Sequence, residues 1–336
     1  MPYPYVPTQL PIRVGLIGTG YAARLRAQAL QSDPTAKLVA VAGYNPEKTT
    51  EFSQTYAATA VHSWVALIER FDLDLVIIST INRDHGAIAL AALEANRHVV
   101  VEYPLALDLA QAEKIIALAR SQNLLLHVEH IELLGGMHRA LATALPEVGH
   151  PFYARYSTIK PQRPAPSRWT YQLDLFGFPL MGALPRIHRL TNLFGSVTSV
   201  SCQTRYWHAP AAQSPGAFVA CMCVAKLRFS SGLLAEIAYG KGETLWQSSR
   251  KMEVHGDQGA LIFEADQGKL IQAETETPIE LGSRRGLFAK DTQMVLTHLT
   301  TGTPLYVTPE ASLYALKVAD AARRSAETGQ TVSLDG

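Results

Sequence analysis

A glycine-rich turn near the start of the chain constrains the fold more than any other feature. Residues 12–24, IRVGLIGTGYAAR, are an apolar run followed by glycines and then by helix-favouring residues. Gly18, Gly20 and Ala23 fit the Gly-x-Gly-x-x-Gly/Ala fingerprint, in which the glycines make a tight turn and let the backbone approach a pyrophosphate. The helix beginning near Tyr21 directs its free N–H groups at the phosphates. The stretch therefore predicts a dinucleotide site formed by Gly18, Thr19, Gly20, Tyr21 and Ala22.

Strand and helix patterns alternate after this turn. Apolar strand runs recur at residues 37–42, 75–79, 98–104 and 124–128, with helical patterns between them. Nearly continuous apolar strands separated by helices are typical of a parallel sheet covered on both faces. Residues 1–130 are therefore predicted to form a Rossmann domain, a doubly wound parallel sheet that binds the dinucleotide.

The second half of the chain has a different pattern. Residues 152–159 alternate as a strand, residues 180–194 are helical, and two helices close the chain at about 288–300 and 309–327. Between them lie strand runs at residues 197–207, 218–229, 233–240, 250–255, 260–264 and 269–273. The predicted fold class is thus α/β plus α+β. Residues 131–336 form a substrate-binding domain with a largely antiparallel, open sheet, and packing of the C-terminal helix back on the first domain is left open.

Overall charge excludes some classes of partner. Lys and Arg number 30 against 29 acidic residues, a formal net charge of +1. Because no global field would recruit nucleic acid or an anionic membrane, an anionic ligand has to be held by a local arginine cluster. No apolar stretch approaches the ~20 residues of a membrane span. Residues 1–11, with four prolines, are interpreted as a loose leader.

The three cysteines are too few for a disulfide framework and favour a reducing, cytoplasmic location. Cys221 and Cys223 lie on one face of a strand, where a packed apolar face is favoured over a metal pair. No His, Cys or Asp cluster has metal-ligand spacing, so no metal is predicted. The expected protein is a cytoplasmic monomer.

The end of the second strand bears on the choice of cofactor. Sites for NAD usually carry an acid there for the ribose 2′-hydroxyl, whereas this chain has Gly43, Tyr44 and Asn45, with Lys48 just beyond. The missing acid favours NADP, because an acid would repel a 2′-phosphate. The alternative is an acid supplied from elsewhere in the fold. Asn45 followed by Pro46 also predicts a helix start.

Polar residues follow three strands of the predicted parallel sheet. Residues 79–85, 102–104 and 127–132 should meet at the same edge, where open α/β sheets bind ligands. A nicotinamide on the fingerprint turn would reach this edge. The cofactor residues predicted here are Thr80, Asn82, His85 and Glu102.

A Rossmann domain, a strand ending in Glu-x-Pro and a following antiparallel sheet together resemble the glucose–fructose oxidoreductase and inositol dehydrogenase family. Most members have Glu-Lys-Pro, in which the lysine acts as acid or base on a substrate hydroxyl or carbonyl. The middle residue here is Tyr103. A tyrosine with pKa near 10 cannot replace a lysine on a sugar alcohol without a helper, so this departure argues against sugar oxidation.

Further motifs resemble the biliverdin reductase family, in particular its cyanobacterial form, over nearly the whole chain. They lie at residues 102–104 (EYP), 127–134 (HVEHIELL), 176–179 (FGFP), 186–195 (RIHRLTNLFG) and 282–288 (GSRRGLF). The resemblance implies NADPH-dependent reduction of the C10 methine bridge of biliverdin IXα, giving bilirubin. The implied ligands are NADPH and a small-molecule bilin, a flat tetrapyrrole with two propionates.

Bilin recognition calls for aromatic surfaces and a few cations. Trp169, Tyr171, Phe176 and Phe178 cluster before the helix at 180–194, and their spacing fits core packing as well as ligand stacking. Arg186 and Arg189 project from one flank of that helix, and from pattern alone they fit a solvated or salt-bridged pair. The resemblance instead assigns both arginines to the bilin's propionates or lactam oxygens, with Arg163 and Arg168 as weaker candidates.

Reduction needs a hydride at C10 and a proton on a pyrrole nitrogen. Arg186 is almost permanently charged and would stabilise the bilin or orient water rather than give up its proton. The proton source stays open: Tyr103 is a candidate donor through its hydroxyl, and His130 or His127 is a candidate relay near neutral pH. Glu102 and Glu129 are expected to orient these groups, and a buried carboxylate that stays protonated is a further alternative. His127 fits equally well as a hydrogen-bonded strand histidine. The predicted catalytic residues are Tyr103, Glu102, Arg186 and His130, and the predicted substrate-binding residues are Arg189, Arg186, His127, Glu129, Phe178 and Trp169.

Two other functions remain open at this point. One is a sugar or cyclitol dehydrogenase using NAD or NADP, for which Tyr103 is the discriminating residue. The other is a non-catalytic module that binds bilin or NADP. Trapped pigment without consumption of NADPH would indicate such a module.

Overall fold

The computed structural model describes residues 9–70, 72–208, 216–283 and 285–334, which form two compact units. The first unit comprises residues up to Ile131 together with Arg285–Leu313, and the second comprises Glu132–Arg284 and Tyr314–Gly336. Most of the predicted leader, and Arg284 of the 282–288 motif, lie outside the described residues.

The first unit contains a six-stranded sheet in the order β3-β2-β1-β4-β5-β6, and every neighbouring pair is parallel. This confirms the predicted doubly wound sheet. Its strands are β1 (Ile12–Ile17), β2 (Ala36–Ala42), β3 (Thr59–Val61), β4 (Leu75–Ile78), β5 (His98–Val101) and β6 (Leu126–Val128). Its first helices are α1 (Tyr21–Gln31), α2 (Pro46–Thr55), α3 (Trp64–Ile68), α4 (Asn82–Glu94) and α5 (Leu109–Ser121).

Local capping explains where several of these helices begin. The side chains of Asn45, Ser63 and Asp108 accept hydrogen bonds from the backbone N–H groups three residues on, as N-caps do. The helix start at Asn45 is predicted from the sequence.

The second unit contains a nine-stranded sheet in the order β14-β13-β12-β11-β7-β10-β9-β8-β15. Its neighbours are antiparallel except for β7 and β10, which are parallel, so the predicted largely antiparallel sheet is confirmed. The strands are β7 (Pro151–Pro161), β8 (Val197–His208), β9 (Phe218–Phe229), β10 (Leu234–Gly242), β11 (Ser249–Gly256), β12 (Gly259–Glu264), β13 (Gln267–Gln272), β14 (Thr275–Ile279) and β15 (Val332–Ser333).

The remaining helices follow the chain in the order α6 (Gly136–Ala144), α7 (Leu173–Phe176), α8 (Pro179–Gly182), α9 (Pro185–Phe194), α10 (Leu287–Thr301) and α11 (Pro309–Thr328). The helix predicted over residues 180–194 is therefore two helices, because Pro185 at the first position of α9 lacks the N–H that would continue α8. The short strands β3, β14 and β15 and helix α6 were not predicted. No helix in the described part of the chain has the length and apolar character needed to cross a membrane.

Helix α10 belongs to the first unit, where it packs against α1. Val295, Leu296 and Leu299 of α10 lie in the same buried cluster as Ala23 and Ala27 of α1. The predicted division into residues 1–130 and 131–336 places this helix in the second domain and so differs from the compact units. The boundary between the units falls within α11.

Candidate active site

The fingerprint turn has the geometry that its glycines predict. Gly18 has φ +123°, and a Cβ there would lie 2.1 Å from the carbonyl oxygen of Ser79 at the end of β4. Any side chain would therefore push β1 and β4 apart. Gly20, immediately before α1, has no atom within 4 Å of its Cβ position. The open backbone at Gly20 and the free N–H groups of α1 suit a phosphate group.

The end of β2 presents polar side chains to solvent. The Asn45 side chain accepts a hydrogen bond from the Lys48 backbone N–H at 2.8 Å, and Lys48 is exposed. Tyr44 is also exposed. Residues 43–46 contain no carboxylate, in agreement with an NADP-type site.

Beyond β4, His85 links two of the predicted cofactor segments. Its Nδ1 lies 2.8 Å from the Pro104 carbonyl oxygen and its Nε2 lies 3.2 Å from the Thr80 carbonyl oxygen. Burial lowers the pKa of His85 and so favours the neutral ring. Asn82, at the start of α4, is also buried. His85 therefore holds two backbone segments in place, one at Thr80 and one at Pro104, at the sheet edge where the nicotinamide is predicted to bind.

Glu102, directly after β5, is held by a fully buried arginine. Arg26 Nε donates to Glu102 Oε1 at 3.2 Å, and Ser79 Oγ donates to the same oxygen at 3.4 Å. The other side of the guanidinium pairs with Asp291 of α10 and donates to Thr292 Oγ1 at 3.0 Å. Although burial opposes its charge, the carboxylates of Asp291 and Glu102 raise the pKa of Arg26. Arg26 is thus a permanent buried cation between two acids.

Asp291 is the centre of this network. Its Oδ1 lies 2.8 Å from His127 Nε2 and accepts a hydrogen bond from the Tyr306 hydroxyl at 2.7 Å. Burial would raise the pKa of Asp291, but Arg26 and His127 lower it well below its usual range. Asp291 is therefore ionised. His127 is buried and engaged with this carboxylate, which is the strand-histidine arrangement left open above.

Tyr103 and His130 lie side by side in the first unit, with ring centroids 5.9 Å apart and planes 15° from parallel. His130 Nε2 lies 2.9 Å from Ser312 Oγ, and its backbone N–H donates to the Tyr306 hydroxyl at 3.1 Å. The buried Glu129 carboxylate accepts the backbone N–H of Ile131. The structure thus brings the predicted residues Glu102, Tyr103, His127, Glu129 and His130 into one region of the first unit.

Sequence reasoning missed Arg26, Asp291 and Tyr306. A usable indication existed for the first two, because each falls on the buried stripe of its helix, where a charged residue is rare unless it is paired. The identity of the partner could not be read from the pattern.

In the second unit, α9 carries the two predicted arginines. Arg186 Nε donates to Thr158 Oγ1 of β7 at 3.1 Å, and the guanidinium carbon lies 5.5 Å from the Tyr239 ring centroid. Arg189 is 4% exposed and lies 5.6 Å from the Tyr156 ring centroid. Its Nε and Nη1 have no hydrogen-bond partner among the residues that the structure describes. Two unpaired guanidinium nitrogens in a buried position favour an anionic ligand.

The pKa of Tyr156 reflects the positive charge of the neighbouring arginines. Burial alone would raise the pKa of Tyr156, but Arg189, Arg186 and Arg250 together lower it. Arg250 lies on β11, paired with Thr158 of the neighbouring strand. Three arginines therefore lie close enough to Tyr156 to act on its charge.

The predicted aromatic cluster precedes α9. Trp169 and Phe176 have ring centroids 6.0 Å apart, and Tyr171 lies 5.4 Å from Phe218 of β9. Tyr171 and Phe176 are buried, whereas Trp169 and Phe178 remain partly exposed. The latter two keep surface available for stacking. Of the weaker arginine candidates, Arg163 stacks on Trp246 at 3.7 Å, and both Arg163 and Arg168 are exposed.

Comparison with known proteins gives the class of the chain. Residues 12–130 match the profile of an oxidoreductase family with an NAD-binding Rossmann fold. Residues 146–334 match the C-terminal alpha/beta domain of the same family. The chain therefore belongs to the GFO/IDH/MocA oxidoreductase family.

A narrower grouping comes from a solved structure. The chain is 53% identical to a biliverdin reductase from Synechocystis sp. PCC 6803, crystallised with biliverdin and NADP+, with a TM-score of 0.92 over 94% of this chain and 99% of that one. Within its family the chain groups with the cyanobacterial biliverdin reductases.

Curated relatives match over shorter regions. Mouse biliverdin reductase A is 27% identical over 191 residues, 56% of this chain and 60% of that protein. The dTDP-3,4-didehydro-2,6-dideoxy-alpha-D-glucose 3-reductase of Actinomadura kijaniata is 34% identical over 175 residues, 51% of this chain and 52% of that protein. The chain thus spans about half the length of the curated relatives that it matches.

Proposed function

We propose that this protein is an NADPH-dependent biliverdin reductase that transfers a hydride to C10 of biliverdin IXα and forms bilirubin. The observation that carries the proposal is the buried Arg189, with two guanidinium nitrogens lacking partners among the described residues and Arg186 one helical turn away. Two cations on α9, in the unit that also carries the partly exposed rings of Trp169 and Phe178, suit a flat ligand with two carboxylates. The 53% identity to a reductase that binds biliverdin and NADP+ supports the same assignment.

The proposed reaction adds a hydride and a proton. NADPH gives its hydride to C10, a proton is added to a pyrrole nitrogen, and NADP+ and bilirubin leave. Arg186 stabilises the negative charge that the hydride brings to the conjugated system, because a guanidinium stays charged throughout the cycle. Tyr103, stacked on His130, is the proposed proton donor, and Glu102, held by Arg26, orients it.

The other predicted contacts remain proposals. Trp169 and Phe178 would stack on the bilin, and Arg189 would bind a propionate. His127 and Glu129 would act through their neighbours, because both are buried in the first unit. The absence of a metal, the monomeric state and the cytoplasmic location also stay predictions.

One spectrum tests the proposed function. Purified protein mixed with biliverdin and NADPH should deplete the red absorption band of biliverdin and produce bilirubin, with one NADPH consumed per bilin. Deuteride from labelled NADPH should appear at C10 in the product. Unchanged pigment would contradict the proposal, and pigment bound without NADPH consumption would indicate a binding module. Turnover of sugars or cyclitols instead would indicate a dehydrogenase.

The end of β2 predicts a preference for NADPH over NADH. Lys48→Glu should lower kcat/KM for NADPH by about tenfold, equivalent to ~1.4 kcal/mol, and leave NADH use unchanged, because a carboxylate there repels the 2′-phosphate. Steady-state kinetics with both cofactors measure this effect. Lys37→Glu, an exposed change at the start of β2, is the matched control. A wild-type preference for NADH would contradict the prediction.

A further inference from the structure

Lys241 of β10 is a buried lysine in an aromatic cage. It is 6% exposed, and its Nζ lies 3.7 Å from the ring centroid of Phe176, 4.8 Å from that of Tyr171 and 5.3 Å from that of Phe218. The ammonium donates a hydrogen bond to the Thr170 carbonyl oxygen. Lys241 thus touches the segment that carries the predicted bilin-stacking residues.

No carboxylate of the described residues pairs with this ammonium. The nearby Glu243 is occupied by the backbone N–H of Ala165, to which it is hydrogen bonded at 2.6 Å. A buried charge without a counter-ion is costly, and cation–π contacts offset only part of that cost. Lys241 therefore adds a positive charge, itself without a carboxylate partner among the described residues, to the face that carries Arg186.

Charged or titratable groups on several neighbouring elements lie near Lys241, and some of them influence its pKa. Burial is the main cause that lowers the pKa of Lys241 to about 8; Arg186 of α9 acts in the same direction, and the Cys221 thiol on the paired position of β9 opposes both. The pKa of Cys221 is raised to about 11 and that of Tyr171 to about 12, both mainly by burial. Burial also raises the pKa of Tyr239 on β10. Lys241 is thus the one of these groups that changes charge near pH 8.

We propose that Lys241 is a specificity-determining residue of the bilin site, a buried cation that favours ligands with a free carboxylate at Arg186. This inference rests on the proposed function. A carboxylate bound at Arg186 would offset the repulsion between Arg186 and Lys241, and the lysine would hold its proton more tightly. Binding would then take up a proton. Because the bound form has the higher pKa, affinity is full below pH 8 and falls as the pH rises from about 8 toward the pKa of the complex.

The test compares biliverdin with its dimethyl ester, which keeps the chromophore and lacks both carboxylates. Dissociation constants are measured by absorbance titration between pH 6.5 and 9.5 with saturating NADP+. For the wild type we expect the affinity for biliverdin to fall above pH 8 by up to about tenfold per pH unit, the slope for one linked proton. The ester should bind without this fall.

Three variants isolate the lysine. Lys241→Met should bind biliverdin more weakly at pH 7 and with a flat pH profile, while its affinity for the ester is unchanged. Lys241→Arg should keep tight binding and also give a flat profile, because arginine stays charged. Lys226→Met, at an exposed position of β9, is the matched control and should behave as the wild type. Thermal unfolding and NADP+ affinity establish that each variant is folded.

A flat wild-type profile, an equal fall for the ester, or a pH-dependent profile in Lys241→Met would overturn the inference. Should the variants fail to fold, proton uptake by the wild type decides the question, measured calorimetrically in buffers of different ionisation enthalpy. Uptake on binding biliverdin but not the ester supports the inference, and equal uptake overturns it. If the wild type binds neither ligand at any pH, the proposed function itself fails.

Discussion

Replacing Arg186 with alanine should lower kcat/KM for biliverdin by about a hundredfold, equivalent to ~3 kcal/mol, while NADPH affinity changes less than about twofold. The guanidinium of Arg186 is fixed by Thr158 at 3.1 Å and lies over the Tyr239 ring. It is thereby preorganised for a carboxylate and for the charge that develops on the bilin, and alanine removes both interactions. Steady-state kinetics and a separate NADPH titration measure the two effects.

The matched control for Arg186 is Arg155→Ala. Arg155 lies on the same strand as Thr158, but an odd number of residues away, so it projects from the opposite face and is exposed. Its loss should leave bilin kinetics unchanged. Arg189→Ala should weaken bilin use in the same direction as Arg186→Ala. Equal losses of bilin and NADPH affinity in the arginine variants would point to misfolding and contradict the assignment.

The largest stability effect is expected at Asp291. Asp291→Ala should lower the free energy of unfolding by about 3–5 kcal/mol, because it leaves the fully buried Arg26 without its main counter-ion and removes the acceptor of His127 and Tyr306. Urea unfolding followed by far-UV circular dichroism measures this loss. Asp72→Ala, which removes a surface pair with Arg70 in the same unit, should cost far less.

The contribution of Asp291 to the free energy of unfolding depends on pH. Its pKa is depressed in the folded protein, so its contribution is fully present above the ordinary aspartate pKa of ~3.9 and is lost as the pH falls toward the folded value. The stability difference between wild type and Asp291→Ala should therefore be constant near neutral pH and shrink in acid. A difference that grows as the pH falls would contradict the proposed charge on Asp291.

Local sequence determines much of this fold and can be read directly. The fingerprint glycines, the cap at Asn45 and the apolar strands follow from interactions within a few residues, so their prediction succeeds. The split between α8 and α9 is also local, and the proline at 185 indicates it. The helical periodicity of residues 180–194 nevertheless predicts one continuous helix.

The sequence alone does not show which residues far apart along the chain contact each other. Arg26 and Asp291 are 265 residues apart, and a buried arginine on a helix stripe does not reveal which acid will meet it. Lys241 lies on a strand whose alternation indicates an inward side chain, but only the fold brings Phe176 and Phe218 around its ammonium. The candidate site is therefore predictable in its residue types and only partly in its contacts.

Helix α10 is part of the first unit but is synthesised long after the strands of that unit. The first unit therefore cannot complete its packing while residues 1–131 are being made. A ribosome releases residues 1–131 long before it makes Asp291, and until then Arg26 has only Glu102 as an acidic hydrogen-bond partner among those of the completed unit. Until Asp291 is made, the interior of the nucleotide-binding sheet carries a guanidinium that lacks one of its two acidic partners, or α1 docks loosely. Final packing of the first unit thus waits until α10 has been made, so loss of α10 by truncation or proteolysis would damage the nucleotide-binding unit.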